Sequence, residues 1–267
     1  MFKTGSWLAV GLLLLAGSMR LQADEEGCRA NHNHGWWGDG ASFAQVRQER
    51  LPAAAFNSVD PGQNGSIRIH GWSDADVLVK ACIQTSASND SEARDLASQV
   101  KITQGAGHIE ASGPSSHHNR SWSVSYEIWM PRASETKLEA ENGSISVDGL
   151  AGRLRFHTTN GSVELRDVGS DVSGDTTNGS ITLEVAQVDR SGSGLRFETT
   201  NGDIRLEFPE NFAARVQAST TNGTIKTDFP VTVNGEIGRH VEFTLGQGGP
   251  EVEAKTTNGS VHITRRG

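Results

Sequence analysis

From residue 142 onward, apolar side chains recur at every second position on either side of a repeated Asn-Gly pair. Six and four positions before the Asn stand Leu154 and Phe156, Leu195 and Phe197, Val216 and Ala218, and Val252 and Ala254. Three and five positions after it stand Ile145 and Val147, Val163 and Leu165, Ile181 and Leu183, Ile204 and Leu206, and Val261 and Ile263. A period of two predicts strands with one buried face, so each copy reads as strand, corner, strand. Gly174 and Thr227 break the pattern and are small enough for a narrow core.

The corner is more than a shared turn. Asn142, Asn160, Asn178, Asn201, Asn222 and Asn258 each precede Gly, at steps of 18, 18, 23, 21 and 36 residues, and an earlier copy stands at Asn64. Phe243 and Leu245 supply the apolar pair of a degenerate turn within the longest step. Five copies spell Thr-Thr-Asn-Gly. A hairpin meander would use Asn-Gly as two-residue turns, and the parity of the apolar positions permits it. It gives no reason for the two threonines, whereas parallel coils stack identical side chains about 4.8 Å apart as hydrogen-bonded ladders. The favoured reading is therefore an all-β parallel β-solenoid of 18–23 residues per coil, the Asn amides forming a ladder and Gly taking the positive φ of a sharp corner. The Asn-Gly-Ser spellings also match a glycosylation acceptor, but the corner already accounts for the Asn.

The chain divides accordingly. Residues 1–23 read as a signal peptide, with Lys3, an uncharged run from Trp7 to Gly17, and Arg20 closing a stretch too short to span a bilayer. Residues 24–55 read as a polar, irregular arm. Residues 56–135 form an N-terminal cap with strands around Val77–Ile83 and Trp122–Met130 and one short helix, Asp90 to Gln99. The repeat fills 136–267.

The order of Asn64-Gly-Ser-Ile67, a short helix, Val124-Ser-Tyr-Glu-Ile-Trp-Met-Pro131 and then Gly-Ser-Ile corners resembles the bacterial putative-adhesin β-solenoid domains of unknown function. The resemblance spans residues 56–264. It implies the fold and, by the family's name, adhesion; it brings no catalytic residue.

Charge and chemistry narrow the function. Removing residues 1–23 takes away Lys3 and Arg20 and no acid, turning a formal charge of −8 into about −10. Apart from Arg265 and Arg266 there is no basic cluster for phosphates, which disfavours nucleic acid. Cys28 and Cys82 are the only cysteines, and in an oxidising compartment they are expected to pair and pin the arm to the cap. Outward positions alternate in sign from coil to coil, as on a solvated face. Asp203 and Glu198 are the one carboxylate pair worth testing for glycan cleavage. His32 and His34 could hold a metal only with a third ligand that is not evident nearby. Of the tryptophans Trp36, Trp37, Trp72, Trp122 and Trp129, Trp122 reads as a buried cap residue. Trp129 faces the other side of its strand and is the candidate ligand contact.

The expected protein is thus an exported, non-catalytic binding or adhesion module of the periplasm or cell surface, without cofactor or metal. Its partner would be an envelope component, a glycan or a protein. A polysaccharide-active enzyme on the same scaffold and a structural spacer are the alternatives. With Lys255–Thr264 as the last coil, Arg265 and Arg266 would repel an identical end and keep the chain monomeric.

Overall fold

A computed structural model describes residues 28, 40–117, 119–185, 193–231 and 238–266. The signal-peptide expectation and His32, His34, Trp36 and Trp37 lie outside the described residues. The elements in chain order are β1 (Ala41–Pro52), β2 (Ser58–Asp60), β3 (Ile67–Trp72), β4 (Asp76–Ala87), α1 (Asp90–Gln99), β5 (Lys101–Gly105), β6 (His108–Ser112) and β7 (Ser121–Pro131). The repeat then supplies β8 (Thr136–Asn142), β9 (Ile145–Asp148), β10 (Leu154–Asn160), β11 (Val163–Arg166), β12 (Asp171–Asn178), β13 (Ile181–Glu184), β14 (Gly194–Asn201) and β15 (Ile204–Pro209). It closes with β16 (Ala214–Asn222), β17 (Ile225–Thr227), β18 (His240–Leu245), β19 (Glu251–Asn258) and β20 (Val261–Arg266).

The strands form two ten-stranded sheets. Sheet A runs β1-β4-β7-β3-β9-β11-β13-β15-β20-β17, and sheet B runs β18-β16-β19-β14-β12-β10-β8-β2-β6-β5. A strand of sheet B, an Asn-Gly corner and a strand of sheet A make one rung. Rungs pair with their neighbours in parallel and in register: Leu154 lies between Thr136 and Val172, and Asn160 between Asn142 and Asn178. The hairpin alternative would pair the two strands flanking a corner antiparallel, and no such pair exists among the described strands. Leu154, Phe156, Val163 and Leu165 point between the sheets and are buried, as are most of their counterparts in other rungs. Each such side chain contributes about 1.5–3 kcal/mol by leaving water. Gly174 stands between Phe156 and Phe197, whose rings stack at 6.1 Å. Its missing side chain is the space the two phenyl rings occupy.

At the C-terminal end the spatial order departs from the chain order. The segment expected to be the final, uncovered coil is not at the end: β19 pairs with both β14 and β16, and β20 with both β15 and β17. Arg265 and Arg266 reach Glu210 and Glu184. The outermost rung is β16–β17, in which Ile225 and Thr227 are only half-buried, while Val261 and Ile263 are buried. The weaker apolar pair takes the place where burial yields least. Phe243 and Leu245 do not form a turn within the stack; β18 runs antiparallel to β16 and closes sheet B.

The cap contains the expected strands and helix, but its boundary differs. Residues 41–52, expected to be irregular, form β1, paired along its whole length with β4. Its alternation is blurred, and the partner strand decides its structure, as tertiary context does for strands generally. Asn89 caps α1, its side chain accepting from Glu92 N–H at 3.0 Å. At the other end no basic residue stands in the last turn, and Arg47 of β1 serves instead, donating to Val100 O at 2.9 Å and Ala97 O at 3.1 Å.

Candidate functional site

The repeated corner residues come together as columns. Asn160 donates its side-chain amide to Asn142 Oδ1 at 2.8 Å, Asn178 to Asn160 at 2.8 Å, Asn201 to Asn178 at 2.9 Å, Asn258 to Asn201 at 2.8 Å and Asn222 to Asn258 at 2.8 Å. Asn142 ends the ladder by donating to Gln63 O at 2.7 Å. The first threonine of each corner is buried and does not bond its own counterpart. Thr158, Thr176, Thr199 and Thr256 donate to the glycine carbonyls of the preceding rung, Gly143, Gly161, Gly179 and Gly202, at 2.8–3.0 Å. Thr220 does the same to Gly259. This bond satisfies a carbonyl that the corner leaves without a ladder partner.

The glycines are needed for a reason other than a left-handed turn. Gly143, Gly161, Gly179, Gly223 and Gly259 are not among the residues with positive φ, while Gly65 and Gly202 of the same column stand at 153° and 159°, far from the left-handed helical region. A Cβ on Gly161 would instead run into Gly143 O, and the same collision repeats up the column. Close approach between rungs, which lets the threonine bond form, is what excludes a side chain. These residues build a corner; they do not converge on a ligand.

A second set converges on the outer face of sheet A, over β4, β7, β3 and β9. There a groove of about 310 Å³ is lined by Ser66, Ser125, Ser144 and Ser146, by Arg68, Lys80 and Glu127, and by Val46 and the Cys28–Cys82 pair. Cys28 and Cys82 are joined as a disulfide with Cα atoms 5.5 Å apart, so the chain ahead of β1 is tied to β4 at one wall of the groove. Ser66 and Ser144 follow the Asn-Gly pairs at Asn64 and Asn142, and Ser66 N–H donates to Ser125 Oγ at 3.2 Å. Trp129 lies beside the groove. Its ring stacks on His70 at 5.1 Å, and Lys80 Nζ lies over it at 4.7 Å. Because β7 runs between β4 and β3, Lys80 and His70 flank the indole from opposite sides. His70 also bonds Glu127 at 3.2 Å. The indole thus holds the Lys80 and Glu127 wall in place more than it offers an open ring face. Trp122 packs at the core and donates to Pro114 O at 2.7 Å.

Glu198 and Asp203 each bond a different cation. Glu198 accepts from Lys255 at 2.7 Å on sheet B, which raises the lysine's pKa above its ordinary value. Asp203 accepts from Arg205 at 2.6 Å and from Ser260 N–H at 2.9 Å, standing in a column whose other members are Ser or Thr, among them Ser162, Ser180, Ser260 and Thr224. Among the described residues no group of three His, Cys, Asp or Glu side chains could hold a metal, and no helix is long and apolar enough to cross a membrane.

The family model described as Toastrack DUF4097 matches residues 63–264, from the carbonyl that ends the Asn ladder to the last rung strand. The chain belongs to the Toastrack family. The matched segment holds the rungs and most of the groove, while Cys28, β1 and β2 lie ahead of it. No curated protein matches the chain. Among solved structures, a putative cell adhesion protein from Clostridium sporogenes is 14% identical, with 85% of this chain and 100% of that one covered at a TM-score of 0.46. A putative adhesin from Bacteroides fragilis is 12% identical, covering 83% and 97% at 0.40. A putative lipid binding protein from Parabacteroides distasonis is 8% identical, covering 84% and 97% at 0.30.

Proposed function

We propose that this Toastrack protein is a β-solenoid that works outside the cytoplasm as a non-catalytic binding or adhesion module, with the hydroxyl-lined groove beside the disulfide as its ligand site. The observation that carries this reading is the convergence of four serines, two cations and one carboxylate from four neighbouring strands on a single open groove. Short hydroxyls flanked by charges suit a polyhydroxylated ligand such as an envelope glycan, which needs many directional hydrogen bonds and little apolar area. The paired strands β4, β7, β3 and β9 hold those side chains on one sheet, which lowers the ordering cost of binding. The disulfide fits an oxidising compartment, hence the periplasm or cell surface.

A screen of the exported chain against immobilised glycans and envelope fractions, run beside reducing-end release, tests the proposal. Binding that falls about tenfold in Arg68→Ala/Lys80→Ala but persists in Arg166→Ala, a cation on the same sheet outside the groove, is the expected result. Turnover that depends on Asp203 or Glu198 would replace the binding reading with an enzymatic one. Binding indifferent to Arg68 and Lys80 would move the site elsewhere.

A further inference from the structure

Among the described residues the two sheets end in four edge strands, and they are unequal. β5, β17 and β18 contain five, three and six residues, whereas β1 contains twelve. Edge strands offer unpaired backbone N–H and C=O groups to another strand, and natural edges are kept short or charged for that reason. From Ala41 to Val46, β1 carries no charge. Val46 is the one large apolar side chain exposed among the described residues, at 43%. Two further residues on β1 are half-buried and charged. Arg47 is held by the carbonyls at the end of α1. The Glu49 side chain has no hydrogen bond or ion pair among the described residues, and burial raises its carboxyl pKa above its ordinary value.

We infer that β1 is the pairing edge of a symmetric dimer, in which two copies join their A sheets antiparallel about a two-fold axis at Gln48. An axis perpendicular to the sheet keeps outer side chains outside, so residues paired across it must share a face; an axis at Gln48 meets this condition. It places Arg47 opposite Glu49 of the second copy, twice, and gives each stranded carboxylate a guanidinium. It also sets Val46 against the aliphatic stem of Arg50. The two grooves, each with Val46 on its wall, then lie on the same face of one continuous sheet, an arrangement that favours attachment to a multivalent surface. β1 lies ahead of the matched residues 63–264, so this edge belongs to a part of the chain beyond the family segment. The expectation of a monomer rested on the C-terminal rung being the open end, which it is not.

Light scattering on the full, disulfide-bonded chain tests the inference. The expected result is twice the mass of one chain, with the dimer dissociation constant raised about tenfold or more by Val46→Lys, a surface change outside the core. Arg47→Glu and Glu49→Arg should each weaken the dimer alone, and mixing the two variants should restore the doubled mass, which misfolded chains would not do. A wild type of single mass at high micromolar concentration would overturn the inference, the inward charges of β1 then acting as a guard against pairing. A dimer unaffected by Val46→Lys and Glu49→Arg would overturn it equally, because another face would be responsible.

Discussion

The two ends of the stack are built on the same plan and finished differently. At the N-terminal end the chain makes the rung β2–β3, leaves to build β4, α1, β5, β6 and β7 outside it, and returns on the other side as β8–β9. At the C-terminal end it leaves a place beside β14–β15, builds β16–β17 beyond it, turns back through β18 and fills the place with β19–β20. At the first end the later rung stacks on the free side of an earlier one; at the second it is inserted between two earlier ones. Such insertion is possible because rungs present the same edges: Thr256, Asn258 and Gly259 meet β14 and its corner as Thr199, Asn201 and Gly202 meet β12 and its corner. The finishing differs in weight. Long antiparallel strands, a helix and a disulfide close the N-terminal end; a six-residue strand and Phe229 close the other. The middle rungs and the N-terminal end should therefore be the stable parts, and the C-terminal rung the part that opens first.

The largest expected effect separates middle from end. Gly161→Ala drives a Cβ into Gly143 O between two fully paired rungs and should cost about 3–4 kcal/mol in urea unfolding. Gly223→Ala meets Gly259 O in the same way, but its rung ends in the three-residue β17, and peeling should limit the loss to roughly half as much. Equal losses would mean that the end is as tightly held as the middle.

Reducing the Cys28–Cys82 bond tests the N-terminal end and should lower stability by about 2 kcal/mol in thermal unfolding. A reduced protein of unchanged stability would show that β1 and β4 suffice. Next comes the ladder: Asn178→Ala breaks two side-chain bonds and should cost about 1–3 kcal/mol, against about 1 kcal/mol for Asn222→Ala at its end. A loss in Asn178→Ala no larger than in the half-buried Thr182→Ala would count against a cooperative ladder.

The smallest effect concerns Asp171, whose carboxyl is held below the usual carboxylate range by hydrogen bonds from Ser193 and then Arg153. Its folded pKa is depressed, so its contribution is complete above the ordinary carboxylate value and disappears as the pH falls through the lowered folded value. Asp171→Asn should be about 0.5 kcal/mol less stable near neutral pH and indistinguishable from the wild type in strong acid. A difference that persists in acid would point to packing instead of charge.

Much of the rung could be read from the sequence, because each of its parts is a local pattern. Alternation at Leu154, Phe156, Val163 and Leu165 marks the inward face whatever the neighbours are, and the Asn-Gly spacing marks the corner. The role of the first threonine was less legible: its partner is a glycine carbonyl in the preceding rung, a contact that exists only once rungs stack. The groove was harder still. Ser66, Ser125 and the Ser144/Ser146 pair come from three separate stretches of the chain and meet only because β7, β3 and β9 are adjacent, although the Ser after Asn64-Gly and Asn142-Gly was a signal for two of them.

The sequence alone determined the two-sided strand pattern, the repeating corner and, with only two cysteines present, the choice of disulfide partners. The tertiary structure alone decided the order of the rungs, which described strands end the sheets, and the cation at the end of α1. The physical reason is that equivalent rungs have equivalent edges, so local pattern says how a rung pairs without saying with which neighbour. That choice falls to the burial each rung can gain, which keeps Val261 and Ile263 inside and sends Ile225 and Thr227 to the end, and to contacts between distant segments such as Arg47 with Ala97 and Val100.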